Sequence, residues 1–391
     1  MDEITLFPSN WLYNSAVIGF LKVLSFGESK RVLKNPYEIT AEGSVSISKH
    51  HIKVTYKLLH DYHKEKLKEE FKIWGGNKRY KNYIQSKQKN FFENHYLESL
   101  QAVTVDNTRG KCSWCVGYYI PNKHLEKLAQ EWGTSKKEKQ QNNSRKNRKD
   151  DGFVKFMVQR EKFQGIHIKE LGGAITEMPN AFWGLEFSTP ICHLCSYLII
   201  FHHLAFSPMS KNQEIFINTP HFGLTWDLNE FLDNILQNSA QFELRKILGT
   251  SLLEWAIKRR ALLGAWTIRN IEMVVKTGDT IDYFDLPYHI TRILLDYDIA
   301  RLINTISEEK IFDLILRGKF SEIEKANYFI LRALIKLKNR ETLPENDPVK
   351  KYVNSWNNFN HISKIASLLP ELLAKISKIL NMEVKNGEEK Y

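Results

Sequence analysis

The chain has 391 residues, 42% of them hydrophobic and 12% aromatic, and its formal net charge is +11. This length and composition favour a folded protein of two or three domains. Because there is neither a run of about 18 apolar residues nor a signal-peptide pattern, we expect a cytoplasmic protein with no membrane partner. The positive charge favours a polyanionic partner, most simply nucleic acid, although a merely Lys-rich proteome would produce the same excess.

The first predicted element is a buried helix over residues 11–24. Ser9 or Asn10 can cap its first turn, and Lys22 is its one charged residue. A helix with so few charges is expected to be enclosed by other elements. Gly19 would allow one of them to approach closely, since glycine carries no side chain.

Two short strands are predicted next, because apolar residues alternate with polar ones around 45–47 and again around 52–56. Residues 57–73 then have the pattern of a charged helix. Beyond them, basic residues beginning with Lys78 and Arg79 alternate with aromatic ones. This alternation suits single-stranded nucleic acid, although an ordinary amphipathic helix more often explains it. Lys78 and Arg79 are candidate nucleic-acid-binding residues.

All four cysteines lie in two Cys-x-x-Cys turns, Cys112–Cys115 and Cys192–Cys195. Two such turns offer four thiolates to one point, so we predict a zinc site. Four cysteines leave no open position for water, which makes the site structural rather than catalytic. Buried free cysteines, a redox pair and two disulfides are the alternatives. The gap between the pairs, residues 116–191, is wider than in compact zinc ribbons.

A low-complexity basic insertion, residues 134–150, follows the first cysteine pair. It cannot bury enough apolar surface to fold alone. We interpret it as a flexible arm that grips a phosphate backbone, the alternative being a solvated linker. Its basic residues are Lys136, Lys137, Lys139, Arg145, Lys146, Arg148 and Lys149, and all but Lys139 are retained as candidate nucleic-acid-binding residues.

The second cysteine pair leads into a buried helix or strand over residues 196–206, and a strand is predicted over 214–218. His202 and His203 are adjacent, so they point to different faces and cannot share one helical metal site. Structural or surface roles explain these histidines best.

From about residue 229 the pattern becomes almost entirely helical. Three consecutive candidates for nucleic-acid binding, Lys258, Arg259 and Arg260, lie in one of these helices. We therefore predict an α+β protein of two domains. Residues 1–243 form a mixed N-terminal domain with the cysteine site and the basic insertion, and residues 244–391 form a C-terminal α-helical bundle.

No catalytic constellation is evident. The chain has no Walker loop, no Gly-x-Ser-x-Gly and no His-Glu-x-x-His motif. Three acidic pairs could in principle hold magnesium for phosphodiester cleavage, but solvated helix faces explain them better. The pairs are Asp282 with Asp285, Asp296 with Asp298, and Glu308 with Glu309. We therefore expect a protein that is not an enzyme.

Short motifs spread over most of the chain carry a resemblance to a known family. They are Asn10–Asn14 running into Val17–Leu24, the turn Cys112–Cys115, the segment Pro190–Cys195 and the segment Trp266–Glu272. In this order they resemble the large subunit of type I CRISPR surveillance complexes (Cascade), in particular of the type I-B branch with a cysteine-rich middle.

This resemblance implies a subunit that binds the crRNA 5′ end, recognises the PAM in target double-stranded DNA, stabilises the R-loop and recruits the helicase-nuclease. Other Cascade subunits would be its partners. Guide pairing reads the sequence in such complexes, and the protein reads only the PAM and the backbone. Loops near Asn77–Arg79 and Pro121–Lys123 are candidates for PAM contact. In the family, a small subunit can also arise by internal initiation, for which Met273 is the candidate start.

Two other classes remain open at this point. One is a zinc-containing, metal-dependent nuclease or RNA-processing enzyme that uses the acidic pairs. The other is a protein–protein scaffold whose basic charge is incidental. Salt-dependent binding of nucleic acid would separate a binder from a scaffold.

Overall fold

The structure is a computed structural model, and the protein is mixed α+β, as predicted. It describes residues 2–68, 93, 96–106, 112–137, 161–164, 188–210, 212–238, 243–260, 263–278 and 280–388. The chain divides into two compact units, one of Met1–Trp226 with Val274–Tyr283 and one of Asp227–Met273 with Phe284–Tyr391. Each unit is described by itself.

The first unit begins with a three-stranded antiparallel sheet. Its strands are β1 (Glu3–Leu6), β2 (Tyr37–Ile39) and β3 (Val45–Ser48), in the order β1-β3-β2. The long helix α1 (Trp11–Ser29) follows β1, and the Asn10 side chain caps it by accepting a 2.9 Å hydrogen bond from the Tyr13 amide. Most of α1 is buried, as the shortage of charged residues indicated.

The second predicted strand is wrong: residues 51–62 form helix α2 (His51–Tyr62), which continues as a π-helical turn over His63–Leu67. Ile52, Val54 and Tyr56 do alternate with polar residues. However, the buried side chains of α2 recur at helical spacing, which this short alternation concealed. They are Ile52, Thr55, Tyr56, Leu58 and Leu59.

The remaining elements of the first half are short. They are α3 (Leu97–Ser99) with a 3-10 turn over Leu100–Ala102, β4 (Thr104–Val105), β5 (Tyr118–Tyr119), α4 (Asn122–Lys137), β6 (Glu161–Gln164), β7 (Ser188–Ile191), α5 (His193–Leu198) with a 3-10 helix over Ile199–Ala205, β8 (Ser207–Ser210) and β9 (Gln213–Asn218). The pairs β4 with β5, β6 with β7 and β8 with β9 are antiparallel. Thus 196–205 is helical and mostly buried, and the strand predicted at 214–218 is present as β9.

The core of the first unit lies between α1 and the 3-10 helix Ile199–Ala205. Phe20 on α1 makes edge-on ring contacts with Tyr197 and Phe201, with ring centroids 6.1 and 5.1 Å apart. Such edge-to-face pairs stabilise a core beyond the area that they bury. Cys112, Cys192 and Cys195 also belong to this apolar cluster and Cys115 packs against it, so the candidate metal centre lies at the core.

A hairpin interrupts the region predicted to be almost entirely helical. Strands β10 (Glu272–Thr277) and β11 (Thr280–Phe284) extend the β8–β9 pair to a four-stranded sheet in the order β11-β10-β9-β8. Met273, the candidate internal start, is fully buried inside β10. The prediction missed the hairpin because its two strands are too short to disturb the helical pattern on either side.

Helices make up most of the second unit. After α6 (Phe222–Asn238), which begins in the first unit, they are α7 (Leu244–Arg259), α8 (Ala265–Arg269), α9 (Tyr288–Leu295), α10 (Tyr297–Ile306), α11 (Glu309–Leu316), α12 (Phe320–Lys338) and α13 (Phe359–Glu388), which runs through Pro370. Helix α7 packs against α9, α10 and α11, and α12 packs against α13. A product that began at Met273 would lack α7 and expose the faces of the three helices that it covers.

The two units differ from the domain limits expected from the sequence. Residues 227–243, expected before the boundary, group with the second unit, and residues 274–283, expected after it, group with the first. The reason for the second difference is the pairing of β10 with β9, a long-range contact that no local pattern reports. None of the helices in the described part of the chain has the length and hydropathy needed to cross a membrane.

Candidate metal centre

The two cysteine turns lie at the two ends of the long segment 116–191 and come together in space. Cys112 and Cys115 lie in the bend between β4 and β5, and Cys192 and Cys195 lie where β7 gives way to α5. β4–β5 pairing fixes the first turn, and β6–β7 pairing fixes the approach to the second. Short strands therefore position both turns.

The four sulfur atoms form one compact cluster, with all ligand atoms within 4.8 Å of one another. The Sγ atoms of Cys112 and Cys195 are 3.7 Å apart, and those of Cys115 and Cys192 are 3.4 Å apart. A tetrahedral metal with metal–sulfur bonds of about 2.3 Å places its sulfurs about 3.8 Å apart. The cysteines are not joined in disulfides, and their spacing fits a shared metal ion.

Backbone amides point at three of these sulfurs. Cys112 Sγ accepts hydrogen bonds from the amides of Trp114 and Cys192, at 3.4 and 3.2 Å. The Gly117 amide donates to Cys115 Sγ and the Cys195 amide donates to Cys192 Sγ, both at 3.4 Å. Amide donors stabilise sulfur in its thiolate form, which is the form that binds metal.

The electrostatics of the cluster calls for a cation. Hydrogen bonds from Cys115, Cys192 and Cys195 lower the pKa of the Cys112 thiol. Burial raises the pKa of the Cys192 and Cys195 thiols, and interactions with neighbouring cysteines raise it further. A hydrogen bond with Cys112 raises the pKa of the Cys115 thiol, but hydrogen bonds with Cys192 and Cys195 leave it lowered overall. The site thus accepts negative charge on the first cysteine pair and opposes it on the second. A bound metal dication would offset half of the charge of four thiolates in this buried position, so the donor set fits a metal.

Tyr118 ties the first cysteine turn to the first sheet. Its hydroxyl donates a 2.8 Å hydrogen bond to the Thr5 carbonyl and accepts a 3.0 Å bond from the Thr5 amide. Burial raises the pKa of Tyr118 to about 12, so this phenol stays protonated at neutral pH and keeps its donor. The turn is therefore anchored to β1 as well as to the second pair.

Gly117 is a site residue whose role sequence reasoning missed. Its φ is +93°, a conformation that side-chain-bearing residues rarely adopt. This conformation turns the chain after Cys115 and brings the Gly117 amide onto its sulfur. A glycine two positions after a Cys-x-x-Cys turn is the sequence signal that could have identified it.

The histidines lie outside the sulfur cluster. Within the described residues, the cysteines are the group of three or more His, Cys, Asp and Glu side chains that can share a metal. His202 Nδ1 is 2.7 Å from the Ile199 carbonyl, a local helical contact. His203 Nε2 is 2.8 Å from His63 Nε2, across 140 residues of sequence. The interpretation of His202 and His203 as structural fits these contacts.

The predicted basic arm lies mostly outside the described residues. Lys136 and Lys137 are the last two residues of helix α4, so the first four residues of the insertion, 134–137, are helical rather than part of a flexible arm. The helix extends because residues 122–137 contain no helix-breaking proline and few β-branched residues. The candidates that lie outside the described part are Lys78, Arg79, Arg145, Lys146, Arg148 and Lys149. Of the loops considered for PAM contact, Asn77–Arg79 also lies outside, whereas Asn122 and Lys123 begin α4.

The three basic candidates at the end of α7 have different surroundings. Lys258 lies over the Phe231 ring, 4.1 Å from its centroid, and within 3.5 Å of a Glu254 oxygen. Arg259 binds the carboxylate of Asp227 through two guanidinium nitrogens. Arg260 lies over a tyrosine ring and has no carboxylate partner among the described residues. Arg259 is therefore held in an ion pair that stabilises the fold, whereas the charge of Arg260 could still pair with a ligand.

Members of two of the acidic pairs have structural partners. Asp296 caps α10 by accepting a 3.0 Å hydrogen bond from the Ile299 amide, and Asp298 lies 2.9 Å from Lys375. Buried Glu308 accepts from the Asn354 amide at 3.2 Å. These carboxylates serve capping and pairing within the second unit.

Comparison with protein-family models, with curated proteins and with solved structures found no match to this chain.

Proposed function

We propose that the four cysteines hold one structural zinc ion. Sulfur-only donors in a tetrahedral arrangement favour zinc among the common divalent ions, and a complete shell of four leaves no position for a reacting water. The ion would hold together the two ends of the segment 116–191 and would thereby fix the start of helix α4. Its role would thus be to stabilise the fold of the first unit.

We further propose that the chain is a non-catalytic, nucleic-acid-binding protein, the large subunit of a type I Cascade complex. The observation that carries this proposal is the basic segment 134–150, which begins in the last turn of α4 and holds seven of the basic residues behind a net charge of +11. Leu125 and Leu128 pack the first half of α4 against the fold, so the start of this helix is fixed.

In this role the subunit would contact the crRNA 5′ end and the PAM of target double-stranded DNA, stabilise the displaced strand and receive the helicase-nuclease. The resemblance of the opening helix, the cysteine turns and the segment 266–272 supports these partners. The structural use of Asp296, Asp298 and Glu308 favours a binding role over the alternative of a metal-dependent nuclease.

A salt titration of nucleic-acid binding tests the proposal. The full chain is measured with RNA and with duplex DNA between about 50 and 200 mM salt, where each phosphate contact changes the slope of log K against log salt by about 0.7 to 0.9. Changing Arg145, Lys146 and Arg148 to Gln should reduce the slope by about 2 to 3.

The matched control changes Lys30, Lys325 and Lys375 to Gln. It removes the same charge from lysines that pair with Glu65, Glu322 and Asp298, and it should leave the slope nearly unchanged. Absence of salt-dependent binding by the unmodified chain would overturn the proposed function. The Cascade assignment is tested separately, by co-purification of the chain with crRNA-containing subunits encoded beside it.

A further inference from the structure

Two arginines of the second unit are stacked on tyrosines near the start of successive helices. The guanidinium carbon of Arg269 lies 4.9 Å from the centroid of the Tyr288 ring, and that of Arg260 lies 4.6 Å from the Tyr297 ring. Tyr288 is the first residue of α9, and Tyr297 is the first residue of α10. Helix α9 has eight residues, so about 12 Å of helix separates the two stacks.

Both arginines are exposed, and neither meets a carboxylate in the described part of the chain. Arg259, the neighbour of Arg260, shows the contrast, because Asp227 binds it through two nitrogens. A stacked arginine without an acidic partner keeps all its donors for a ligand, while the ring beneath it restricts its orientation. Arg260 and Arg269 are thus oriented by the rings, and their donors can bind a ligand.

Trp266 adds an exposed aromatic ring beside one of these stacks. It lies three residues before Arg269 on α8, so the two side chains share a helix face. Its side chain is 67% exposed, the highest value among the large hydrophobic residues found exposed in the described part. Leaving an indole in water forgoes the stabilisation that burial would give, so a ligand that covered this ring would gain that stabilisation.

We propose that Trp266, Arg269 and Tyr288, with the neighbouring Arg260–Tyr297 stack, bind unpaired bases of a single-stranded nucleic acid. Aromatic rings and guanidinium planes stack on exposed bases, whereas bases inside a duplex are already stacked on each other. The arginine donors would reach the phosphates on either side. This inference rests on the proposed nucleic-acid-binding function and names its substrate class and site.

The test uses the full chain with three fluorescent probes of equal length: an oligo(dT) strand, an abasic phosphodiester strand and a DNA duplex. Trp266→Ala should weaken oligo(dT) binding by about fivefold or more, because one base stack contributes on that scale. It should leave the salt slope and the affinity for the abasic strand unchanged, because indole carries no charge. Arg269→Lys should also weaken oligo(dT) binding while keeping the slope, whereas Arg269→Ala should reduce both.

Arg317→Ala is the matched control, since Arg317 is an exposed arginine of the same unit that pairs with Asp313. It should leave the ratio of oligo(dT) to abasic affinity as in the unmodified chain. Thermal unfolding of every variant verifies that the fold is intact.

Equal binding of oligo(dT) and abasic strands by the unmodified chain, or unchanged oligo(dT) affinity in Trp266→Ala, would overturn this inference and leave the proposed function standing. Capture of a protein partner that Trp266→Ala abolishes, without any effect on oligo(dT), would also overturn it. Failure of the unmodified chain to bind any of the three probes would overturn the proposed function together with the inference.

Discussion

Gly19 on α1 lies directly against the backbone carbonyl of Phe201 on the facing 3-10 helix. A Cβ atom at Gly19 would come within 2.0 Å of the Phe201 oxygen and 2.8 Å of its carbonyl carbon. Backbone atoms cannot move aside as the end of a flexible side chain can. The close approach expected at Gly19 from the sequence is confirmed, and the element that makes it is the one that follows the second cysteine pair.

We expect Gly19→Ala to destabilise the first unit by about 2 kcal/mol or more. Overpacking costs about 3 kcal/mol at such a contact, and the better helix propensity of alanine recovers about 1 kcal/mol. Chemical denaturation followed by circular dichroism measures the difference. Gly264→Ala is the control, because no atom lies within 4 Å of a Cβ built there. Equal losses in the two variants would contradict the packing argument.

Removal of one cysteine ligand should abolish metal binding and lower stability. Cys112→Ser replaces the sulfur that receives two amide hydrogen bonds, so we expect less than a tenth of the zinc of the unmodified chain, in which one ion per chain is expected. Elemental analysis and thermal unfolding with and without a chelator are the measurements. Ser113→Ala, an exposed position inside the same turn, is the control and should retain metal. A zinc-free protein that unfolds at the same temperature as the unmodified chain would contradict a structural metal.

Local patterns predicted α1, β3, β9 and the cysteine cluster, because each of these follows from periodicity or spacing within a few residues. The same reasoning misread residues 52–56, where strand alternation and helical spacing coincide over too few positions to be told apart. It also missed the hairpin of β10 and β11, whose place in the fold depends on pairing with β9 far earlier in the chain. Tertiary contact, rather than propensity, decides such segments.

For the candidate site, the ligand identities followed from spacing, but their supporting contacts did not. Nothing near Tyr118 in sequence points to Thr5, which lies 113 residues away. Likewise, a run of three basic residues in α7 predicts one function for all three. Asp227, which lies 32 residues before Arg259, binds Arg259 and thereby gives it a structural role that its two neighbours do not have.

The ion pair between Asp227 and Arg259 should therefore matter for stability more than for nucleic-acid binding. Asp227 is buried and also accepts a 3.2 Å hydrogen bond from the Trp255 indole, and its carboxylate raises the pKa of Arg259. We expect Arg259→Ala to lower stability by about 1 kcal/mol, since the arginine is half exposed and solvent screens the pair. Its effect on oligo(dT) affinity should be smaller than that of Arg260→Ala. The reverse order in a binding titration would show that Arg259 contacts the ligand.

Glu322 should give the second unit an acid-dependent stability. Hydrogen bonds from Lys325, at 2.8 Å, and from Lys351 and Tyr352, at 3.2 and 3.1 Å, lower the pKa of this carboxyl to about 2. The folded state thus holds the proton less tightly than the unfolded chain, in which a glutamate has a pKa of about 4.3. The stabilisation is present above that value and is lost as the pH falls from about 4.3 toward 2.

Glu322→Gln should accordingly lower the unfolding temperature at pH 6, and the difference from the unmodified chain should shrink as the pH approaches 2. High salt should reduce the difference at pH 6, because the carboxyl and both lysines are open to solvent and their charges are screened. Glu324→Gln is the matched control: Glu324 is an exposed acid two residues away and has no ion pair in the described part of the chain. The two variants should therefore differ at pH 6 and converge in acid. A Glu322→Gln effect of the same size at both pH values would mean that packing of the side chain, rather than its charge, stabilises this end of α12.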